Sequence, residues 1–193
     1  MNKFFISDLH LGHRNIINFK DEANGNPDQH IRVKADGTPF ESVEEMTEYQ
    51  VAKWNAKVQP EDRVYVLGDI VFPREGWDIF YRLNGEKYGI LGNHDRHQEM
   101  YSEHLAKVHG ALDMSGAVLT HVPVHPAQLE FRWKVNIHGH LHQNLVRDKW
   151  GKPDYRYINV SVEQCDFTPI SEDEILSMLK ARGIQGVKLK ERN

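Results

Sequence analysis

Short apolar runs alternate with polar punctuation along this chain, and five of the runs stop at the same kind of residue. Residues 3–7 lead into Asp8 and His10, and residues 64–68 into Asp69. Residues 88–91 end in Gly92-Asn93-His94-Asp95, residues 117–120 in His121, and residues 134–137 in His138-Gly139-His140 with His142 two positions on. Apolar runs this short, bounded by breakers, read as buried strands. Ligands of open α/β sheets bind beyond the carboxyl ends of the strands. Five strand ends carrying Asp, His and Asn therefore point to one shared site in an α/β protein.

Other signals fill in the remaining elements. Residues 15–19 predict a short helix. Ser42-Val43-Glu44-Glu45 is a capping box opening a helix that Pro60 closes. Residues 63–67 read as a strand, 76–83 as a helix, and Asn84-Gly85 as a turn. A helix is expected from Asp95 to about residue 108, with Asp95 and Gln98 as its cap pair. Residues 144–152 predict a hairpin and 155–162 a sixth strand. Ser171-Glu172-Asp173-Glu174 is a second capping box, starting a helix stopped by Gly183. The final GVKLKERN is either an edge strand or a frayed end. Residues 20–40, with Gly25, Pro27, Gly37 and Pro39, lack periodicity. A loop insertion of this length, at about 20–41, reads either as a lid placing His30, Arg32 and Lys34 against substrate or as a hairpin touching nothing.

Composition narrows the class. The 193 residues suit a single domain spanning 1–193, and 39% apolar with 27% charged is an ordinary globular balance. The net charge of −4 gives no global sign of a nucleic-acid partner. One cysteine, Cys165, excludes an internal disulfide and a cysteine-built zinc site, and reads as a buried apolar residue. No signal-peptide h-region and no run of 18 apolar residues occurs, so a cytoplasmic protein without a membrane partner is expected.

The collected residues suggest a chemistry. Two carboxylates, several imidazoles and a side-chain amide form a mixed nitrogen and oxygen set, suited to Mn, Fe, Zn, Co or Ni. They are too many for one tetrahedral zinc and about right for two ions sharing a carboxylate. Two divalent ions against Asp8 and Asp69 leave a net positive site, which suits a phosphate ester. A water held by both ions would ionise near neutral pH and attack phosphorus in line.

The series Asp8-x-His10, Gly68-Asp69, Gly92-Asn93-His94-Asp95, His121, Gly139-His140-x-His142 resembles the calcineurin-like metallophosphoesterase superfamily, in that family's order over residues 8–142. The opening SDLHLGHRNIINF and Val160-Ser161-Val162 resemble its small uncharacterised bacterial and phage members. The resemblance implies a four-layer α/β/β/α sandwich and two divalent ions, manganese foremost. It implies that Asp8, His10 and His142 hold one ion, that Asn93, His121 and His140 hold the other, and that Asp69 bridges. His94 becomes the candidate catalytic residue. Arg14 and Arg96 are candidate substrate contacts. The Asp-Arg-Gly that follows the bridging aspartate in protein phosphatases is absent: residues 69–74 read Asp-Ile-Val-Phe-Pro-Arg.

The expected function is hydrolysis of a small phosphate mono- or diester, a nucleotide or cyclic nucleotide among them. One alternative is nucleic-acid end processing, for which Lys20, Arg32, Lys34, Arg132, Lys134, Arg147 and Lys149 would supply a basic groove. Another is a non-catalytic scaffold. His138 reads as a core histidine, Asp95 as a helix cap, His125 as either a site neighbour or a surface residue, and His97, His104 and His109 as solvated.

Overall fold

The computed structural model describes residues 1–72, 74–96 and 98–192, with only the backbone of Gln98 and Glu99. In chain order the elements are β1 (Lys3–Ile6), β2 (Lys20–Asp21), β3 (Asn26–His30), α1 (Val43–Lys57), β4 (Arg63–Leu67), α2 (Gly76–Phe80), β5 (Glu86–Ile90) and α3 (Gln98–His104). There follow β6 (Lys107–His109), β7 (Leu112–Met114), β8 (Ala117–Leu119), β9 (Val135–His138), β10 (Tyr157–Asn159), β11 (Ile170–Ser171) and α4 (Glu172–Ala181). Two sheets dominate, ordered β11-β1-β4-β5-β6 and β10-β9-β8-β7. Within the first, β1, β4, β5 and β6 run parallel and β11 is antiparallel.

Period-two alternation assigns each strand residue to one of two cores. Phe4, Ile6, Val64 and Val66 face Met46, Val51 and Trp54 of α1, Trp77 and Phe80 of α2, and Tyr101 of α3. Phe5, Tyr65, Leu67, Tyr88 and Ile90 instead meet Leu112, Leu119, Val135, Ile137 and Ile158 of the second sheet. Strands buried on both faces read as continuous apolar runs, which explains why residues 64–67 stand out in the sequence. Helix α4 closes one margin of the inter-sheet core with Ile175 and Leu179. Its capping box forms in full. At α1 only half of the box forms: Ser42 Oγ accepts from Glu45 N at 3.1 Å, while Glu45 Oε2 turns to Glu41 N.

The two sheets join at one point. Ser7 N donates to Val160 O at 2.9 Å and Val162 N to Ser7 O at 3.1 Å. This joint lies directly before Asp8, so the carboxyl ends of both sheets open onto the same place.

Several expectations change. The helix expected to reach residue 108 ends at His104, and Lys107–His109 pairs with β5 as an edge strand. Residues 20–40 carry a small hairpin, β2 with β3. The tail pairs with β7 through Ser115 N to Lys190 O and Arg192 N to Asp113 O. His104 is half-buried and stacked on Trp77 at 4.1 Å, and His109 is likewise half-buried. His97 and the Gln98 side chain lie outside the described residues. No helix among the described residues is long and apolar enough to cross a membrane.

One core contact carries a pH signature. Lys87 Nζ donates to Leu83 O at 2.5 Å and lies 5.1 Å from the Phe80 ring centroid. Burial pulls its ammonium down to about 8, against about 10.4 for a free lysine. Between these values the unfolded chain holds a proton that the folded chain sheds, so stability rises with pH across this window. Lys87→Met is expected to be more stable at pH 7 and to lose that rise, as urea melts at pH 7, 9 and 10 would read.

Candidate metal centre

Every strand end singled out by the sequence reaches one crevice at the junction of the sheets. His10 Nε2 lies 3.6 Å from Asp69 Oδ2 and 4.0 Å from Asp8 Oδ1. His142 Nε2 lies 3.9 Å from Asp8 Oδ1, and His121 Nε2 lies 3.4 Å from Asp69 Oδ2. Two donor sets have the spacing of a metal site: Asp8, His10 and His142, and Asp8, Asp69 and His121. Asn93 joins through Oδ1, 2.9 Å from His121 Nε2. His140 lies beside His121, with ring centroids 5.1 Å apart. It stands outside the two tight sets.

The backbone is strained to achieve this. Asp8, His10, Asp69, His140 and His142 have φ of 58°, 49°, 51°, 70° and 50°. The left-handed region is unfavourable for non-glycine residues, at about 1–3 kcal/mol each, and such strain clusters at functional sites. Five such residues in one crevice require the surrounding fold to hold them there.

The crevice has the makings of a cation site. Asp8 is fully buried; Oδ2 accepts from His140 N at 2.9 Å and Ser161 Oγ at 2.8 Å. Asp8 Oδ1 and both ring nitrogens of His10 are buried and have no hydrogen-bond partner among the described residues. Unpartnered polar atoms are costly inside a protein, and those of Asp8 and His10 belong to the same donor set. Burial pushes the Asp8 carboxyl above its ordinary value and His10 down to about 2, with Arg32 adding to the latter. His10 is thus a neutral imidazole, as a metal ligand must be. Asp69 is driven up by burial, but the hydrogen bond and charge of His121 win and hold it at about 2. His121 Nδ1 is fixed by Leu67 O at 2.8 Å.

The structure also supplies partners that sequence reasoning missed. Glu163, with its side chain 1% exposed, takes His142 Nδ1 at 2.9 Å and Arg32 Nε at 2.8 Å on the same Oε1. Arg32 donates further to Leu9 O at 3.2 Å and Asp8 O at 2.5 Å. Arg32 therefore does not face substrate. It is a buried clamp tying residues 31–33 to the site, the planar five-donor guanidinium spreading its hydrogen bonds over a carboxylate and two carbonyls. Nothing in the local sequence around Glu163 marks it.

Asp95 departs from its expected role as well. Its carboxylate accepts from Asp69 N at 2.8 Å, Ile70 N at 3.0 Å, Gly92 N at 2.7 Å and the Tyr101 hydroxyl at 2.6 Å. It braces the left-handed turn at Asp69. His138 is a fully buried core histidine, pushed to about 4 by burial, with Nδ1 2.8 Å from Gly139 O. His125 is exposed and caps the 126–130 turn through Ala127 N. His94 is exposed at the rim; its backbone N donates to Asp69 Oδ1 at 3.0 Å and its ring centroid lies 5.9 Å from that of His10. Arg14 lines a neighbouring cleft, and Arg96 is exposed beside His94.

No family model matches the chain. The gene 66 protein of Mycobacterium phage D29 is 27% identical over 208 residues, covering 89% of this chain and 93% of that one. The crystal structure of AQ665 from Aquifex aeolicus, a protein of unknown function, superposes with a TM-score of 0.67 at 28% identity, covering 92% of this chain and 98% of the other. The uncharacterised protein MJ1445 of Methanocaldococcus jannaschii is 31% identical over 184 residues, 92% of this chain and 90% of its own length. With that identity over nearly the whole of both chains, this protein belongs to the MJ1445 family.

Proposed function

We propose that this protein is a dinuclear metal-dependent phosphoesterase acting on a small phosphate mono- or diester. The observation that supports it most is the set of five left-handed Asp and His residues bringing unpartnered carboxylate and imidazole atoms into one buried crevice. Asp8, His10 and His142 would hold one ion, Asn93, His121 and His140 the other, and Asp69 would face both. Two divalent cations, when bound there, supply Lewis-acid stabilisation of phosphoryl charge and acidify water. Manganese heads the candidates, with iron, zinc, nickel and cobalt compatible with the same donors.

The chain's own residues do the rest. Glu163 and Leu67 O fix the outer nitrogens of His142 and His121, so each presents Nε2 inward. Asp95 holds the Asp69 turn. His94, at the rim, stands where a leaving alkoxide would depart and gives it a proton. The fold is on this reading a pared-down α/β/β/α sandwich, with α1, α2 and α3 as the helical layer on the first sheet.

A small substrate also fits the fate of the basic residues. Lys34 pairs with Glu45, Arg132 with Asp113, Lys134 with Gln185 O and Arg147 with Gly151 O. Arg32 is buried. These five are engaged with their own chain, while Lys20 lines a pocket with His140 and His142 and Lys149 lies over the Trp150 ring, so most of the suggested basic groove is internally paired, which favours a small ester.

The test is manganese-dependent hydrolysis of an aryl phosphate monoester and the matching diester. Wild type is expected to turn over at least one. His94→Ala should lower kcat by about 10²- to 10⁴-fold, with metal content intact. A wild type that binds metal yet cleaves neither ester, nor any of a panel of nucleotides and oligonucleotides, would replace the enzyme reading with a scaffold.

A further inference from the structure

A cleft of about 670 Å³ lies beside the metal centre, between the 12–15 turn, α1 and the start of α2. Its inner wall is aromatic. Phe72, 48% exposed, packs on His13 with ring centroids 4.1 Å apart. The same two rings touch the site: Phe72 lies 5.6 Å from His94 and 6.3 Å from His10, and His13 lies 5.9 Å from His10. Phe72 thus presents an exposed aromatic face beside two site histidines. His13 Nδ1 is buried and has no hydrogen-bond partner among the described residues. Val43 and Ile79 add an apolar floor.

The outer wall is acidic. Glu44, Glu48 and Glu75 line it with Arg14 and Arg82, and Arg82 is already taken by Glu48 in two hydrogen bonds of 2.8 and 2.6 Å. Glu44, Glu75 and Arg14 line the cleft beside that pair. Such a wall offers carboxylate acceptors to a group that carries donors, with Arg14 beside them. The volume lies within the range of small-ligand sites, about 300–1,000 Å³.

We propose that this cleft is the subsite for the alcohol arm of the ester, and that the arm is an aromatic group bearing hydrogen-bond donors, of nucleoside type. Its ring stacks on Phe72 and its donors meet Glu44 and Glu75. This inference rests on the phosphoesterase reading and goes further by naming the substrate class.

The test separates the two claims by measuring binding. Calorimetry on manganese-loaded protein compares 5′-deoxy-5′-phosphonoadenosine, whose P–C bond is not hydrolysable, with methylphosphonate. The adenosine compound is expected to bind at least tenfold tighter. Phe72→Ala should erase most of that margin, while Phe72→Trp keeps it, since the base stacks on whichever aromatic face stands at 72. Equal binding of the two phosphonates to wild type would overturn the subsite and leave the metal centre standing. Equal loss in Phe72→Ala and Phe72→Trp would also overturn it, by showing a packing role. If wild type takes up no manganese and binds neither compound, the phosphoesterase reading falls together with the subsite.

Discussion

Gly139→Ala is expected to abolish metal binding and destabilise the fold together. A Cβ at residue 139 would come closer than 3.0 Å to Ser7 Oγ, Ser7 Cβ and Asp8 Oδ2. None of these can retreat: Ser7 and Asp8 are fully buried, and Ser7 carries the backbone joint between the sheets. Asp8 Oδ2 is moreover held by His140 N and Ser161 Oγ. The methyl group must therefore displace either the Asp8 carboxylate or the strand that carries it. Overpacking a rigid core costs about 1–3 kcal/mol, and a misplaced ligand costs more in affinity than in stability. Manganese titration and thermal melts of the variant would read both effects. A variant that binds manganese like wild type would show that the Asp8 position does not govern the site.

The second large effect lies at Glu163. Removing it leaves Arg32 buried and without its carboxylate, and frees His142 to rotate. Breaking a buried ion pair from one side costs about 3–5 kcal/mol, which for a domain of this size lowers Tm by about 6 to 20 °C. The paired replacement Arg32→Met with Glu163→Leu removes both charges and is expected to recover most of that stability. It should not recover metal affinity, because His142 Nδ1 still lacks its acceptor; loss of such an orienting partner typically weakens a metal site by 10- to 100-fold. Recovery of stability without recovery of affinity is the signature of a positioning residue. If Glu163→Ala melts like wild type, Arg32 has found another partner and the clamp is not needed.

The part of this architecture that was legible in sequence is the part written in local patterns. Residues 64–67 are an uninterrupted apolar run because both faces of β4 are buried, whereas 135–138, Val-Asn-Ile-His, alternates and is marked by the glycine and histidines that follow it. Ser171 announces its helix because a capping box is completed within four residues. The five strand ends were visible because each puts Asp or His next to glycine or directly after an apolar run. What was missed is held by distant partners. Asp95 sits where a helix cap belongs, yet it is claimed by backbone amides 25 and 26 residues away. Arg32 lies in a turn-rich stretch that reads as surface, and only its reach to Glu163, 131 residues on, buries it. Lys107–His109 carries polar residues on an edge strand, and its pairing with β5 has no trace in its own composition.

The central claim is that one crevice holds two divalent ions with Asp69 between them. Counting manganese per chain after equilibrium dialysis, for wild type and Asp69→Asn, tests it most directly. The account predicts two ions for wild type and at most one for Asp69→Asn. A wild type that retains no ion, or a single ion that Asp69→Asn holds equally well, would contradict it.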